Sequence, residues 1–152
     1  MYDCYDYNQP IDWRMYRFKN YPKFLEDLKT AIADEKSAVE FYDQLYEIAP
    51  TEIAKFSLKT ARDDEMEHYK KLRGLFRYLT GKNPNVQTKK ETFAHFYDGL
   101  QKAFLDEVRA YEFYKEMYLD TNCQAIRDII YSIQHDEMEH ASLFNWTYTE
   151  IK

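Results

Sequence analysis

The chain has 152 residues, three Gly and four Pro, 45% hydrophobic content and a formal net charge of −6. Gly plus Pro comes to about 5%, against roughly 12% in ordinary usage, too few for the turns of a β-sandwich or barrel. The hydrophobic content excludes a disordered chain, no apolar run approaches the ~20 residues that span a bilayer, and the acidity makes nucleic acid a poor partner. The start, MYDCYDYNQP, has neither the basic region nor the apolar core of a secretory leader, so a cytoplasmic protein is expected. Cys4 and Cys123 are far apart with no C-x-x-C, which excludes zinc-ribbon, rubredoxin and thioredoxin motifs. A reduced pair is the simpler expectation, with a Cys4–Cys123 disulfide as the alternative.

In chain order, residues 1–22 read as an aromatic-rich extension with Pro10, Pro22 and no helical period, and residues 23–152 as one bundle domain. The spacing predicts a first helix from Tyr21 to Pro50. Thr51 is placed to cap a second, which ends at Thr80-Gly81-Lys82-Asn83-Pro84-Asn85. A third helix is expected from about Glu91. A break at Asp120-Thr121-Asn122 separates it from a fourth that runs to about Trp146.

The chain repeats itself. Asp34-Glu35-x-x-Ala38-x-Glu40-Phe41-Tyr42 returns as Asp106-Glu107-x-x-Ala110-x-Glu112-Phe113-Tyr114, and Asp64-Glu65-Met66-Glu67-His68 returns as Asp136-Glu137-Met138-Glu139-His140. Both pairs have one offset, since 107 − 35 = 72 and 137 − 65 = 72. Two copies of one helical hairpin explain that agreement.

A bundle helix buries a stripe of residues spaced three and four apart. The stripes read Leu25, Leu28, Ile32, Glu35, Val39, Tyr42, Tyr46 in the first helix and Tyr97, Leu100, Phe104, Glu107, Tyr111, Tyr114, Tyr118 in the third. The second gives Ala54, Leu58, Ala61, Glu65, His68, Leu72, Leu75, and the fourth Ile126, Ile130, Ile133, Glu137, His140, Phe144. Each stripe is interrupted near its middle by a Glu, and two of them by a His three residues later. If the stripes meet, four carboxylates and two imidazoles share one layer of the core. Each buried carboxylate would cost several kcal/mol unless neutralised. Two divalent cations supply the needed charge, and oxygen with imidazole nitrogen suits iron or manganese. Four of the acidic charges then lie inside, and the metal-loaded chain comes nearer −2 than −6.

With a Glu from each of two helices and Glu-x-x-His from each of the other two, the sequence resembles the ferritin-like superfamily, most closely its rubrerythrin-like branch, over about residues 23–148. The resemblance implies an all-α, ferritin-like four-helix bundle of two repeated hairpins with a long crossover, holding two iron ions, with manganese as the other metal. It makes Glu35 and Glu107 terminal ligands, Glu65 and Glu137 bridging ligands, and His68 and His140 the nitrogen ligands. Tyr42 and Tyr114 resemble family tyrosines that hydrogen-bond a carboxylate across the site. Glu65, Glu137, Tyr42 and Tyr114 are therefore the expected catalytic residues. Asp64 and Asp136 are expected to accept the free N–H of the opposite His and set its tautomer. Glu40, Glu112, His95 and His135 read as solvated.

Where rubrerythrins carry an extra carboxylate one turn beyond the third-helix ligand, this chain has Ala110, matched by Ala38. There is also no rubredoxin-like domain. Electrons would come from an external donor or from Fe²⁺ itself. The activity implied is a non-haem di-iron oxidoreductase reducing H₂O₂ or O₂, as a peroxidase or ferroxidase. The alternatives are a dimanganese catalase-like enzyme, or a non-enzymatic iron-binding or coat-type protein assembled through residues 1–22. A crossover of residues 80–91 reaches at most ~40 Å, nearly taut for the distance. A homodimer is expected, with helix-swapped hairpins as one form of it.

Overall fold

A computed structural model describes residues 14–152, as a short turn α1 (Arg14–Arg17) and four long helices: α2 (Tyr21–Glu47), α3 (Glu52–Thr80), α4 (Phe96–Asp120) and α5 (Gln124–Glu150). Among these residues the only extended pairing is the isolated bridge Phe18–Thr121. Among the described residues no helix is long and apolar enough to cross a membrane. Expectations about residues 1–13, including their part in assembly, lie outside the described residues.

Local chemistry sets the helix ends. Asn20 caps α2 by accepting from Lys23 N, and Thr51 caps α3 by accepting from Ala54 N at 3.1 Å. Gly81, at φ 71°, ends α3 in the left-handed region, with its N–H on Arg77 O. Helix α4 starts at Phe96, five residues later than the sequence suggested. His95 and Asp98 form a reciprocal cap there: His95 Nδ1 accepts from Asp98 N, and Asp98 Oδ2 accepts from Ala94 N. His95 is exposed, as expected, but it also holds a helix end. Helix α5 continues four residues past Trp146.

The core falls into two clusters, one at each end of the bundle. One joins the start of α2 (Phe24, Leu28), the end of α3 (Leu72, Leu75), the end of α4 (Met117) and the start of α5 (Ile126, Ile130). The other joins the end of α2 (Leu45), the start of α3 (Ala54, Leu58), the start of α4 (Leu100) and the end of α5 (Phe144). Each hairpin is therefore antiparallel, while α3 and α4 run parallel and the chain must cross the bundle's length between them. With α4 starting at Phe96, residues 81–95 cover this distance without tension: about 39 Å of helix beyond and before the mid-layer is matched against about 50 Å of extended chain. The crossover lies along α2, with Lys89 N on Ser37 Oγ at 2.9 Å and the Phe93 ring edge-on to Phe41. The crossover of one chain is thus long enough to close the bundle.

Two other expectations change. Helix α4 is turned relative to the predicted stripe: it buries Leu100, Ala103, Glu107, Tyr114 and Met117, while Phe104, Tyr111 and Tyr118 are half-buried and Tyr97 is exposed. Ala103 and Met117 are fully buried in their place. Cys123, buried at the start of α5, is disulfide-bonded, unlike the reduced thiol expected; Cys4 lies outside the described residues.

Candidate metal centre

Between the two apolar clusters lies a layer with a different chemistry. Glu35 on α2, Glu65 and His68 on α3, Glu107 on α4 and Glu137 and His140 on α5 are each 3% exposed or less. They form two overlapping groups, Glu35–Glu65–His68–Glu137 and Glu65–Glu107–Glu137–His140, whose ligand atoms lie within 4.8 Å of one another. Glu65 and Glu137 belong to both. His68 Nδ1 is 3.2 Å from Glu137 Oε1 and 3.4 Å from Glu35 Oε2, and His140 Nδ1 is 3.0 Å from Glu65 Oε1 and 3.5 Å from Glu107 Oε2.

The surroundings aim these atoms. Tyr114 Oη donates to Glu35 Oε1, and Tyr42 Oη donates to Glu107 Oε1, each reaching across the bundle. His68 Nε2 pairs with Asp136 Oδ2 at 2.9 Å and His140 Nε2 with Asp64 Oδ2 at 3.0 Å. A carboxylate partner makes Nε2 the donor, so Nδ1 turns its lone pair inward. The contacts are reciprocal, each hairpin orienting the other's groups. Glu40, Glu112 and His135 stay exposed.

One test of fit for a metal is what these contacts leave unpaired. Glu35 Oε2, Glu65 Oε1, His68 Nδ1, Glu107 Oε2, Glu137 Oε1 and His140 Nδ1 are buried without a hydrogen-bond partner. These are one atom from each of the six side chains, all facing the same small volume. An orphaned buried polar atom costs about 1–3 kcal/mol, so six of them together are an unfavourable way to end a core. Carboxylate oxygen and imidazole nitrogen, four and two, suit two hard-to-borderline divalent cations.

The electrostatics point the same way. Burial, then the charges of Glu35 and Glu107, pushes Glu65 well above the usual carboxylate range, and Glu137 is pushed up by burial and by Glu65. Burial also opposes ionisation of Glu35, but Glu65, His68 and Tyr114 outweigh it and hold that carboxyl low. Burial opposes protonation of His68 and His140 too. Asp136 and Glu137 outweigh it for His68, Asp64 and Glu107 for His140, and both imidazoles are raised. The Tyr42 and Tyr114 phenols are raised by burial and by Glu107 and Glu35, so they remain donors.

A feature the sequence did not disclose is the approach to this layer. A cavity of about 380 Å³ opens between α2 and α4, the lightly packed pair. Its floor is Glu35, Glu65, Glu107 and Glu137, and Phe41 and Phe113 form walls. Ala38 and Ala110 line it as well, small residues at equivalent repeat positions that leave the space open. Asp34, Asp106, Lys89 and Arg109 stand at its mouth. The histidines are on the far side.

A four-helix bundle of duplicated hairpins, with carboxylates and imidazoles buried at mid-height, defines the ferritin-like class. The rubrerythrin family model matches residues 26–144, and the chain belongs to that family. It is 27% identical over 143 residues to the uncharacterized protein YhjR of Bacillus subtilis (strain 168), covering 94% of each chain. Two solved structures share the fold. One is a dodecameric thioferritin, the bacterioferritin-related protein of Bacteroides fragilis, with TM-score 0.75 and 16% identity over 87% of this chain and 88% of that one. The other is a hypothetical protein of Pyrococcus furiosus, with TM-score 0.75 and 22% identity over 83% and 88%.

Proposed function

We propose that this chain is a non-haem di-iron oxidoreductase that reduces H₂O₂ or O₂ at a carboxylate-bridged metal pair. The observation that carries the reading is the set of six orphaned buried atoms arranged as two groups sharing Glu65 and Glu137. In this reading Glu35 with His68 and Glu107 with His140 would each hold one metal, and Glu65 and Glu137, which belong to both groups, would serve both. When bound, the iron pair supplies two electrons and a Lewis-acid surface for the oxidant.

The remaining roles belong to the chain. Tyr42 and Tyr114 fix one oxygen of Glu107 and Glu35, leaving the other directed inward, and each holds a proton at Oη beside the site. Asp64 and Asp136 keep the imidazole Nδ1 lone pairs inward. The two apolar clusters exclude water from above and below, so access is through the α2–α4 cavity, on the carboxylate side. Reduction of H₂O₂ to two waters takes two electrons and two protons. Bound iron would supply the electrons, with an external donor to restore them, and manganese is the alternative occupant of the same ligands.

The test is anaerobic Fe²⁺ loading followed by stopped-flow mixing with H₂O₂ or O₂. Rapid oxidation of two Fe²⁺ per chain by one of these oxidants is expected. No oxidation by either overturns the proposal, and O₂ evolution from H₂O₂ with Mn but not Fe selects a dimanganese catalase-like enzyme. The assembled thioferritin among the structural neighbours supports a second reading, an iron-binding assembly; retention of more than two oxidised irons per chain would select it.

A further inference from the structure

The internal repeat supplies its own control for reading the surface, because equivalent positions in the two hairpins have the same helical environment. Along the outer face of α3, the exposed positions 59, 63, 70, 74 and 77 carry Lys, Asp, Lys, Gly and Arg. At the same positions plus 72, α5 carries Tyr131, His135, Ser142, Trp146 and Thr149, a stripe without a formal charge at pH 7. On α2, Lys36 and Glu47 are exposed; their counterparts on α4 are Val108 and Leu119. At these positions the first hairpin is mostly charged and the second is not, whereas Phe56, exposed on α3, has Asp128 as its counterpart on α5.

The difference is concentrated. Of the twelve large hydrophobic residues exposed among the described residues, eight lie on α4 and α5 and two on α2 and α3. The eight are between 38% and 52% exposed. Ring contacts between Tyr118 and Tyr131, and between Tyr97 and Tyr148, join the two helices across this face. The rotation of α4 away from its predicted stripe belongs here, since it turns Phe104, Tyr111 and Tyr118 partly toward the same face. Glu112 and Lys115, which lie on this face of α4 between Val108 and Leu119, pair with each other at 3.6 Å.

We propose that the outer face of the α4–α5 hairpin is an interface for a second copy of this chain, packed about a two-fold axis. Three observations select that occupant. At roughly 200 Å² per fully exposed large side chain, the eight residues present on the order of 700 Å², close to the ~800 Å² each partner gives a standard stable interface and above the patch a monomer ordinarily exposes. An antiparallel helix pair is self-complementary about a two-fold axis, so each ridge of one copy meets the groove of the other. The net negative charge of the chain disfavours contact between copies through its acidic surfaces, whereas on this face Glu112 and Lys115 pair with each other. The site would then lie within each subunit, with the α2–α4 cavity pointing away from the interface.

The test exchanges residues within the repeat. In the full, metal-loaded chain, Val108→Lys, Leu119→Glu and Tyr131→Lys place on the second hairpin what the first already carries at equivalent exposed positions. Sedimentation equilibrium at micromolar concentration is expected to give wild type at least twice the 18.5 kDa chain mass. The triple variant should give half the wild-type mass or less, with unchanged helical circular dichroism and metal content. Should the triple variant fail to fold, Tyr131→Lys alone is expected to weaken association at least tenfold. A monomeric wild type overturns the proposal, as does an unchanged variant mass. A wild type that dimerises only after residues 1–13 are deleted also overturns it, by showing that the chain's own extension covers the face.

Discussion

Stripping the metals and raising the pH from about 7 to about 9 should destabilise this bundle by an amount the buried layer sets. His68 and His140 are raised above the ordinary imidazole value because Asp136, Asp64 and the cluster carboxylates outweigh their burial. Without metal the native state therefore keeps protons that the unfolded chain releases above about pH 6.5. That contribution is fully present below the unfolded value and lost as pH rises toward the raised native value. Each such proton costs about 1.4 kcal/mol per pH unit, so the two imidazoles together cost on the order of 5 kcal/mol between pH 7 and 9. This approaches the whole stability of an ordinary domain, about 5–15 kcal/mol. Glu65 and Glu137, also raised by burial, act with the same sign from about pH 4.3 up to their native values. Bound cations replace these protons, and the metal-loaded protein should be nearly insensitive over the same range. Urea midpoints followed by circular dichroism, for the metal-free and metal-loaded protein at each pH, measure the slopes. His140→Gln should about halve the metal-free slope. A flat metal-free profile, or equal slopes with and without metal, would refute the reasoning.

Further consequences concern single side chains. Tyr114→Phe and Tyr42→Phe each remove a hydrogen bond to a ligand carboxylate and should weaken one of the two metals about 10- to 100-fold, read by competition with a chelator; equal loss of both metals from one substitution would contradict the assignment. Gly74, exposed with open space around its would-be Cβ, should accept Ala with a gain of about 0.5–1 kcal/mol in urea unfolding. Gly99→Ala, whose Cβ would collide with buried Leu45 and crowd Phe93, should instead cost about 1–3 kcal/mol. Thr51→Ala removes the α3 cap and should lower stability by about 1 kcal/mol while leaving metal content unchanged.

The layout of the bundle was legible because duplication wrote the same pattern twice. A Glu on an apolar stripe is ambiguous alone, but Glu35 with Glu107 and Glu65 with Glu137, 72 residues apart, fix which side of each helix faces the middle layer. What escaped had local or collective causes. Glu91 to His95 reads like the first turn of a helix, but the Phe93 ring packs on Phe41 from an extended segment and the His95–Asp98 cap starts the helix later. The turn of α4 buries Ala103 and Met117 in place of the rings beside them, a packing outcome that periodicity does not register. The α2–α4 cavity belongs to no single segment. It exists because Ala38 and Ala110 meet across a lightly packed pair of helices, and the only sign of it in the sequence is two small residues at matched repeat positions. The apolar α4–α5 face became distinct only when exposed positions of one hairpin were set against the other.

The account stands on six buried atoms, one from each of six side chains, that lack a hydrogen-bond partner and face one small volume. Anaerobic titration of the metal-free protein with Fe²⁺, followed by equilibrium dialysis, tests this most directly, in parallel with the Glu65→Ala/Glu137→Ala variant. Two tightly held ions per chain are expected for the wild type. Neither ion should be tightly held by the variant, which should keep its helical content and unfold at higher urea than the metal-free parent, because two uncompensated buried carboxyls are gone. Fewer than two ions in the wild type, or two retained by the variant, would contradict it.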